Sequence, residues 1–201
     1  EARERDILVG TQMLSKGLDF DNVSLVGILN ADMMLNFPDF RAHERAFQLM
    51  VQVSGRSGRS KKQGKVSIQT YNPYHQILQQ VSSTDYAAMY KEQLEDRWQY
   101  HYPPYYRLVK ITLKHKDYQK VDAGIIWLSK ALQNIFREHV LGPSEPAVSR
   151  IRNQYIKNVM IKIPPKQSLG KTKQEIDKIK NTFQAIADFR PIRFIIDVDA
   201  Y

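Results

Sequence analysis

The 201 residues, 42% of them hydrophobic, suffice for one large domain or two small ones with packed cores. No apolar run is long enough to cross a bilayer, and the lack of cysteine excludes disulfides and thiolate metal sites from these residues. The net charge of +9 is uneven: residues 1–100 hold 12 Lys and Arg against 12 Asp and Glu, and residues 101–201 hold 18 against 9, so the second half carries either a surface for a polyanion, nucleic acid first, or a plain lysine-rich one.

Residues 1–73 read as alternating strand and helix. Ile7, Leu8 and Val9 form an apolar run of the kind a buried parallel strand needs, so strands are expected over 6–10, 24–29 and 65–70. Thr11, Gln12, Ser15 and Lys16 follow where such a strand opens onto a loop. Ligands of open α/β sheets sit beyond the carboxyl ends of strands. An ordinary strand–loop–strand with a glycine turn is the alternative. A helix is expected over 39–53 with Asp39 as its N-cap; Ala42, Ala46, Leu49, Met50 and Val53 give it a buried face. Arg41 and Glu44 read as an ion pair on its surface. Gly55 ends this helix and presents Arg56 and Arg59.

The stretch Gln52-Val53-Ser54-Gly55-Arg56-Ser57-Gly58-Arg59 carries the most chemistry. Two arginines three apart, each after a glycine, suit a grip on the terminal phosphates of a nucleotide. The guanidinium fork binds phosphate oxygens in pairs, and glycine lets backbone come close to a ligand. A basic helix end on a solvated surface is the competing reading. Gln52 between Val51 and Val53 is an odd choice unless it faces a cleft.

Residues 74–99 read as one or two helices, with Ile77, Leu78, Val81, Tyr86, Met89, Tyr90 and Leu94 as an apolar stripe. Ser82-Ser83-Thr84-Asp85 breaks the run, and Pro103-Pro104 marks a domain boundary. The expected division is thus 1–73, a connector over 74–104, and 105–201. Residues 105–199 read as β-α-β-β-α-β, the split βαβ pattern of ferredoxin-like folds. A strand over 108–113 precedes a helix over 118–139, with Val121, Ile125, Leu128, Leu132 and Ile135 inward. Gly142-Pro143 breaks the chain, and strands over 146–152 and 155–163 flank Asn153-Gln154 as a hairpin. A helix over 171–187, with Ile176, Ile179, Phe183 and Ile186 inward, leads to a strand over 192–198. Around the hairpin, Arg150, Arg152 and Tyr155 combine phosphate contacts with a ring for base stacking, or else form an exposed tip. Gly170-Lys171-Thr172 lacks the preceding glycine and strand of a phosphate loop and reads as the first turn of a helix.

The runs Gly10-Thr11-Gln12-Met13-Leu14-Ser15-Lys16-Gly17 and Gln52 to Arg59 together resemble motifs V and VI of superfamily 2 helicases. They are most similar to those of the PriA (primosomal protein N-prime) family of bacterial replication-restart helicases. Ala31-Asp32, Pro38-Asp39-Phe40-Arg41-Ala42, Glu44-Arg45, Tyr102-Pro103-Pro104, Leu141-Gly142-Pro143 and Asp197-Val198-Asp199 extend the likeness nearly end to end. Ser54 and Ser57 stand where the family usually has alanine. The resemblance implies an α/β chain: the distal part of a RecA-like helicase lobe, then a small α+β ferredoxin-like domain similar to a ribosomal protein. It implies that Thr11 and Gln12 face a single strand, that Gly17 and Asp19 lie near the nucleotide, and that Lys16 meets phosphate of either ligand. Arg56 and Arg59 would bind the γ-phosphate region and stabilise transition-state charge, with Gln52 coupling the two ligands.

A motor of this class also needs a phosphate-cradling loop and an acidic magnesium motif, and neither occurs in the sequence. The chain is therefore expected to be the C-terminal piece of a longer cytoplasmic helicase. ATP with Mg²⁺ would be held mostly outside it, and the family's zinc would be bound by upstream cysteines. Branched and single-stranded DNA, single-strand DNA-binding protein and other primosome proteins are the implied partners. Two readings stand: part of an active motor, or a DNA-fork or single-strand-binding-protein docking module with a vestigial one. Retention of both Arg56 and Arg59 argues for the first. A RecG-like motor is a third possibility, against which the Pro38 to Ala42 stretch and the closing Asp-Val-Asp speak.

Overall fold

A short parallel strand pair opens the fold in the computed structural model, which describes residues 6–11, 23–55, 57 and 64–199. Strand β1 (Leu25–Ile28) pairs in parallel with β2 (Lys65–Ile68), with Val26 beside Val66. Parallel neighbours need a long crossover, and helices α1 (Ala31–Leu35) and α2 (Ala42–Ser54) lie within it. The chain divides into two compact units, residues 1–96 and 97–201, each with its own apolar cluster. It mixes helices and sheets as an α/β chain should.

In the first unit, α1 and α3 (Gln76–Ser83) both pack on α2. The core joins Ala31, Leu35, Ala46, Phe47, Met50, Ile77, Leu78, Val81 and Met89. Phe47 is buried, whereas Leu49 and Val53 are only half-buried. The buried face of α2 is turned toward Phe47, because neighbours on two sides widen the stripe that spacing alone suggests. Residues 7–11 are irregular rather than a buried strand, with Ile7 and Val9 each 82% exposed. A parallel strand is buried only when helices cover both faces, and an apolar triplet does not guarantee that cover. Asp39 is not the cap of α2. Its carboxylate accepts from the Arg41 N–H at 2.8 Å, which closes a turn before the helix begins. Helix α4 (Tyr86–Gln99) follows a break at Thr84, whose φ is 55°, and Asp85 accepts from the Ala88 N–H at 2.9 Å as its cap. Tyr86 and Tyr90, expected in the stripe, are more than half exposed and stack on each other at 6.0 Å.

The second unit contains β3 (Arg107–His115), α5 (Tyr118–Phe136), β4 (Val140–Ser144), β5 (Arg150–Ile151), β6 (Gln154–Ile163), α6 (Leu169–Ala185) and β7 (Arg193–Val198). The sheet order is β4-β6-β3-β7 with every neighbour antiparallel, the arrangement of a split βαβ repeat. Alternation places Val109, Ile111, Leu113, Val159 and Ile161 in one cluster with Leu128 and Leu132 of α5 and Ile179 and Phe183 of α6. Ile135 is 42% exposed and Phe136 is buried in its place, because α5 stops there and Arg137 turns the chain at φ 50°. Gly142 and Pro143 do not break the chain but lie inside edge strand β4, where the register shifts between Leu141 and Ser144 and Gly142 takes φ 107°. An edge strand tolerates proline, since one side needs no N–H donors. The strand expected over 146–152 shrinks to β5. The hairpin turn is Arg152-Asn153, one residue early, both with positive φ as a two-residue turn requires. Gly170, Lys171 and Thr172 lie in the first turn of α6, capped by Ser168.

Candidate functional site

The carboxyl ends of β1 and β2 converge. Ala31 donates its N–H to the Gln69 carbonyl and Gln69 donates to Ile28, both at 2.9 Å. Asp32 extends this stitch: one oxygen accepts from the Thr70 hydroxyl and the other from the Tyr71 N–H, each at 3.0 Å. Thr70 in turn accepts from the Asn72 N–H. The loop so pinned presents Tyr71 and Tyr74, which are 95% and 86% exposed. His75 closes it by accepting from the Ile77 N–H at 3.2 Å, with His43 of α2 packed edge-on at 5.3 Å. Burial pulls His75 below the ordinary histidine value, His43 adds to the effect, and Asp32 opposes it.

The Gln52 segment opens on the last turn of α2. Gln52 is exposed, while Met50 two residues earlier is fully buried. Ser57, one of the two serines in alanine positions, donates from its hydroxyl to the Lys65 carbonyl at 3.2 Å and so ties the segment to the start of β2. Alanine could not make that bond. Beside α2, Asp39 also accepts from the Arg41 Nε at 3.1 Å and from Arg45 at 3.1 Å. Burial pushes Asp39 up, but the Arg41 hydrogen bonds and the charges of Arg41 and Arg45 prevail and leave it below the usual carboxylate value. Glu44 accepts from the Gln48 amide at 3.2 Å. Thr11 is exposed on the irregular segment. Gln12, Lys16, Gly17, Asp19, Arg56 and Arg59 lie outside the described residues.

In the second unit, Tyr155 meets Arg150 across the β5–β6 pairing. The Arg150 guanidinium lies 4.8 Å from the Tyr155 ring centre and also donates to the Asn153 side chain. The other neighbour of Tyr155 is Tyr118, edge-on at 5.4 Å. Arg150 thus covers the ring that sequence reading offered to a base, and Arg152 projects from the turn as an exposed cation. Beneath them Lys157, 11% exposed, pairs with Asp122, with Glu145 at 3.2 Å and with the Tyr118 hydroxyl at 3.1 Å. Burial disfavours its charge, yet the hydrogen bonds from the ammonium to Asp122, Tyr118 and Glu145 win and raise its value. Sequence reasoning missed this cluster, because its members are scattered along the chain and only folding joins them.

The sequence has counterparts in known proteins. The family model of the primosomal protein N C-terminal domain matches residues 99–201, and that of the helicase conserved C-terminal domain matches residues 1–61. The chain is 38% identical over 198 residues to the replication restart protein PriA of Bacillus subtilis, covering 98% of this chain and 24% of that protein. It is 38% identical over 163 residues to PriA of Synechocystis, covering 80% and 20%. With PriA of Borreliella burgdorferi it shares 32% over 202 aligned positions, covering 97% and 30%. The chain therefore spans about a quarter of the length of the curated relatives it matches.

Proposed function

Because the chain belongs to the PriA family of replication restart proteins, we propose that it supplies the distal motor lobe and C-terminal domain of an ATP-dependent 3′-to-5′ DNA helicase that recognises branched DNA and restarts stalled forks. The observation that supports this reading is the parallel β1–β2 pair bridged by α2, with the Gln52 segment opening at the end of α2 and tied to β2 through Ser57. In this reading residues 1–73 belong to the motor lobe, 74–104 connect, and 105–201 form the C-terminal domain. Arg56 and Arg59 meet the γ-phosphate region, and Gln52 couples nucleotide to DNA from the exposed side of α2. Lys16, Gly17 and Asp19 border the nucleotide. Thr11 and Gln12 contact the single strand. Arg150 and Arg152 reach phosphates, with Tyr155 supporting Arg150. Single-strand DNA-binding protein and other primosome proteins are the partners, and the cytoplasm is the compartment. ATP binds with Mg²⁺; among the described carboxylates near these motifs, Asp32 accepts from Thr70 and Tyr71, Asp39 from Arg41 and Arg45, and Glu44 from Gln48. None of the three is assigned to the metal.

The test is Arg59→Ala in the complete protein. A finger acts mainly on charge that develops in the transition state. DNA-stimulated ATP turnover should fall by about 10³-fold or more, while fluorescent-nucleotide affinity changes far less. A wild-type turnover rate in this variant would remove the arginine-finger assignment and favour a docking module with a vestigial motor.

A further inference from the structure

The sheet of the second unit has one face packed on α5 and α6 and one face turned away from them. Val109, Ile111 and Leu113 of β3 belong to the core, so Lys110, Thr112 and Lys114 occupy the other face. The same alternation puts Ile156, Asn158, Met160 and Lys162 of β6 there, with Arg193, Ile195 and Asp197 of β7, and Ile156, the β6 neighbour of Lys114, is buried. Lys114 stands directly opposite Arg193 in the β3–β7 register. Like charges in that relation destabilise a sheet, and among the described residues neither cation makes an ion pair. Lys110 lies four residues along the same strand, opposite Asp197. Lys162 is already engaged with the Tyr100 carbonyl at 2.6 Å and the Tyr102 ring at 3.8 Å. Thr112 and Asn158 are buried in the middle of the face and join side chains at 2.9 Å, whereas Lys114 is half-buried and Arg193 exposed at its end.

We infer that the Lys114–Arg193 end of this sheet face binds the phosphate backbone of a single-stranded nucleic acid, with Lys110 farther along β3. The inference rests on the DNA-handling reading above and adds a surface separate from the hairpin turn. The excess of cations over acids in residues 101–201 supplies the complementary charge. An extended strand can run along a sheet face, as in four-stranded nucleic-acid readers. Those readers stack bases on aromatic residues, but no residue on this face of β3, β6 or β7 is aromatic. Binding therefore runs through phosphates and ignores sequence.

The experiment is fluorescence anisotropy on the whole 201-residue chain with an oligothymidine and a mixed-sequence oligonucleotide across a salt series. Lys114→Gln/Arg193→Gln should weaken both ligands by the same factor and make the slope of log affinity against log salt shallower by about 1.4, or about 0.7 per lost single-strand phosphate contact. Its thermal midpoint should not fall, since a repulsive pair has been removed. The charge-preserving Lys114→Arg/Arg193→Lys variant should bind like wild type, which separates lost contacts from lost folding. If the glutamine variant binds as wild type while Arg150→Gln/Arg152→Gln abolishes binding, the sheet-face inference is overturned and the DNA reading survives. If the wild-type chain shows no salt-dependent binding, both fall. If the glutamine variant loses affinity only for a poly-glutamate peptide, the face docks an acidic protein and the inference is wrong.

Discussion

His75 holds the first turn of α3 through a ring nitrogen that must stay unprotonated to accept the Ile77 N–H. Burial and the neighbouring His43 lower its value, and Asp32 only partly offsets them. The unfolded chain therefore takes up the proton first. Stability is complete above the unfolded histidine value of about 6.5 and declines as pH falls from there through the folded value. His75→Asn keeps a capping acceptor without a titrating group. Between about pH 7.5 and about pH 5.5, a window that spans the unfolded value, the urea midpoint of the first unit should drop less in His75→Asn than in wild type. Equal drops would take His75 out of the account. Lys157 has the opposite sign: its raised value keeps its contribution intact at neutral pH and removes it only in strong alkali.

Helical spacing was read correctly wherever one helix face decides burial. Val121, Ile125, Leu128 and Leu132 all point into the core. Spacing fails where neighbours decide: at helix ends, at sheet edges, and within helices at Leu49 of α2 and Tyr90 of α4. Phe136 replaces Ile135 because the helix stops, and β4 runs through Gly142 and Pro143 because an edge strand needs fewer donors. The arginine motif was legible as a motif because its chemistry is local. The Asp32 anchor on Thr70 was not, because it joins residues 38 apart in sequence. Gly124 belongs to the same class. It sits in α5, where a helix former such as alanine would be favoured by about 1 kcal/mol. A Cβ there would stand 2.9 Å from the Ile192 side chain and 3.2 Å from the Phe183 ring. Overpacking of this kind costs about 1–3 kcal/mol and should outweigh the propensity gain, since Phe183 is locked among Trp127, Phe189 and Phe194. Gly124→Ala should lower the thermal midpoint of the second unit in calorimetry. A rise would mean that Ile192 relaxes freely.

Taken as a whole, the chain keeps two separate apolar clusters and divides its charge between them. Residues 1–100 balance their cations and acids, while residues 101–201 carry the entire positive excess. The arginine motif and the cationic excess thus lie in different stretches of one chain. The arginines of the Gln52 segment suit the stabilisation of charge on a phosphate, but positioning that phosphate needs a phosphate-cradling glycine loop and an acidic magnesium motif, and neither pattern occurs in this sequence. The chain alone should therefore attract DNA without turning over ATP. In a coupled phosphate-release assay, the purified chain should hydrolyse ATP no faster than buffer, with or without forked DNA. The complete protein under the same conditions should show DNA-stimulated turnover. The decisive contrary result would be turnover that co-purifies with the chain and disappears in Arg59→Ala. That would place a whole catalytic centre within these 201 residues and end the division of labour argued from their motifs.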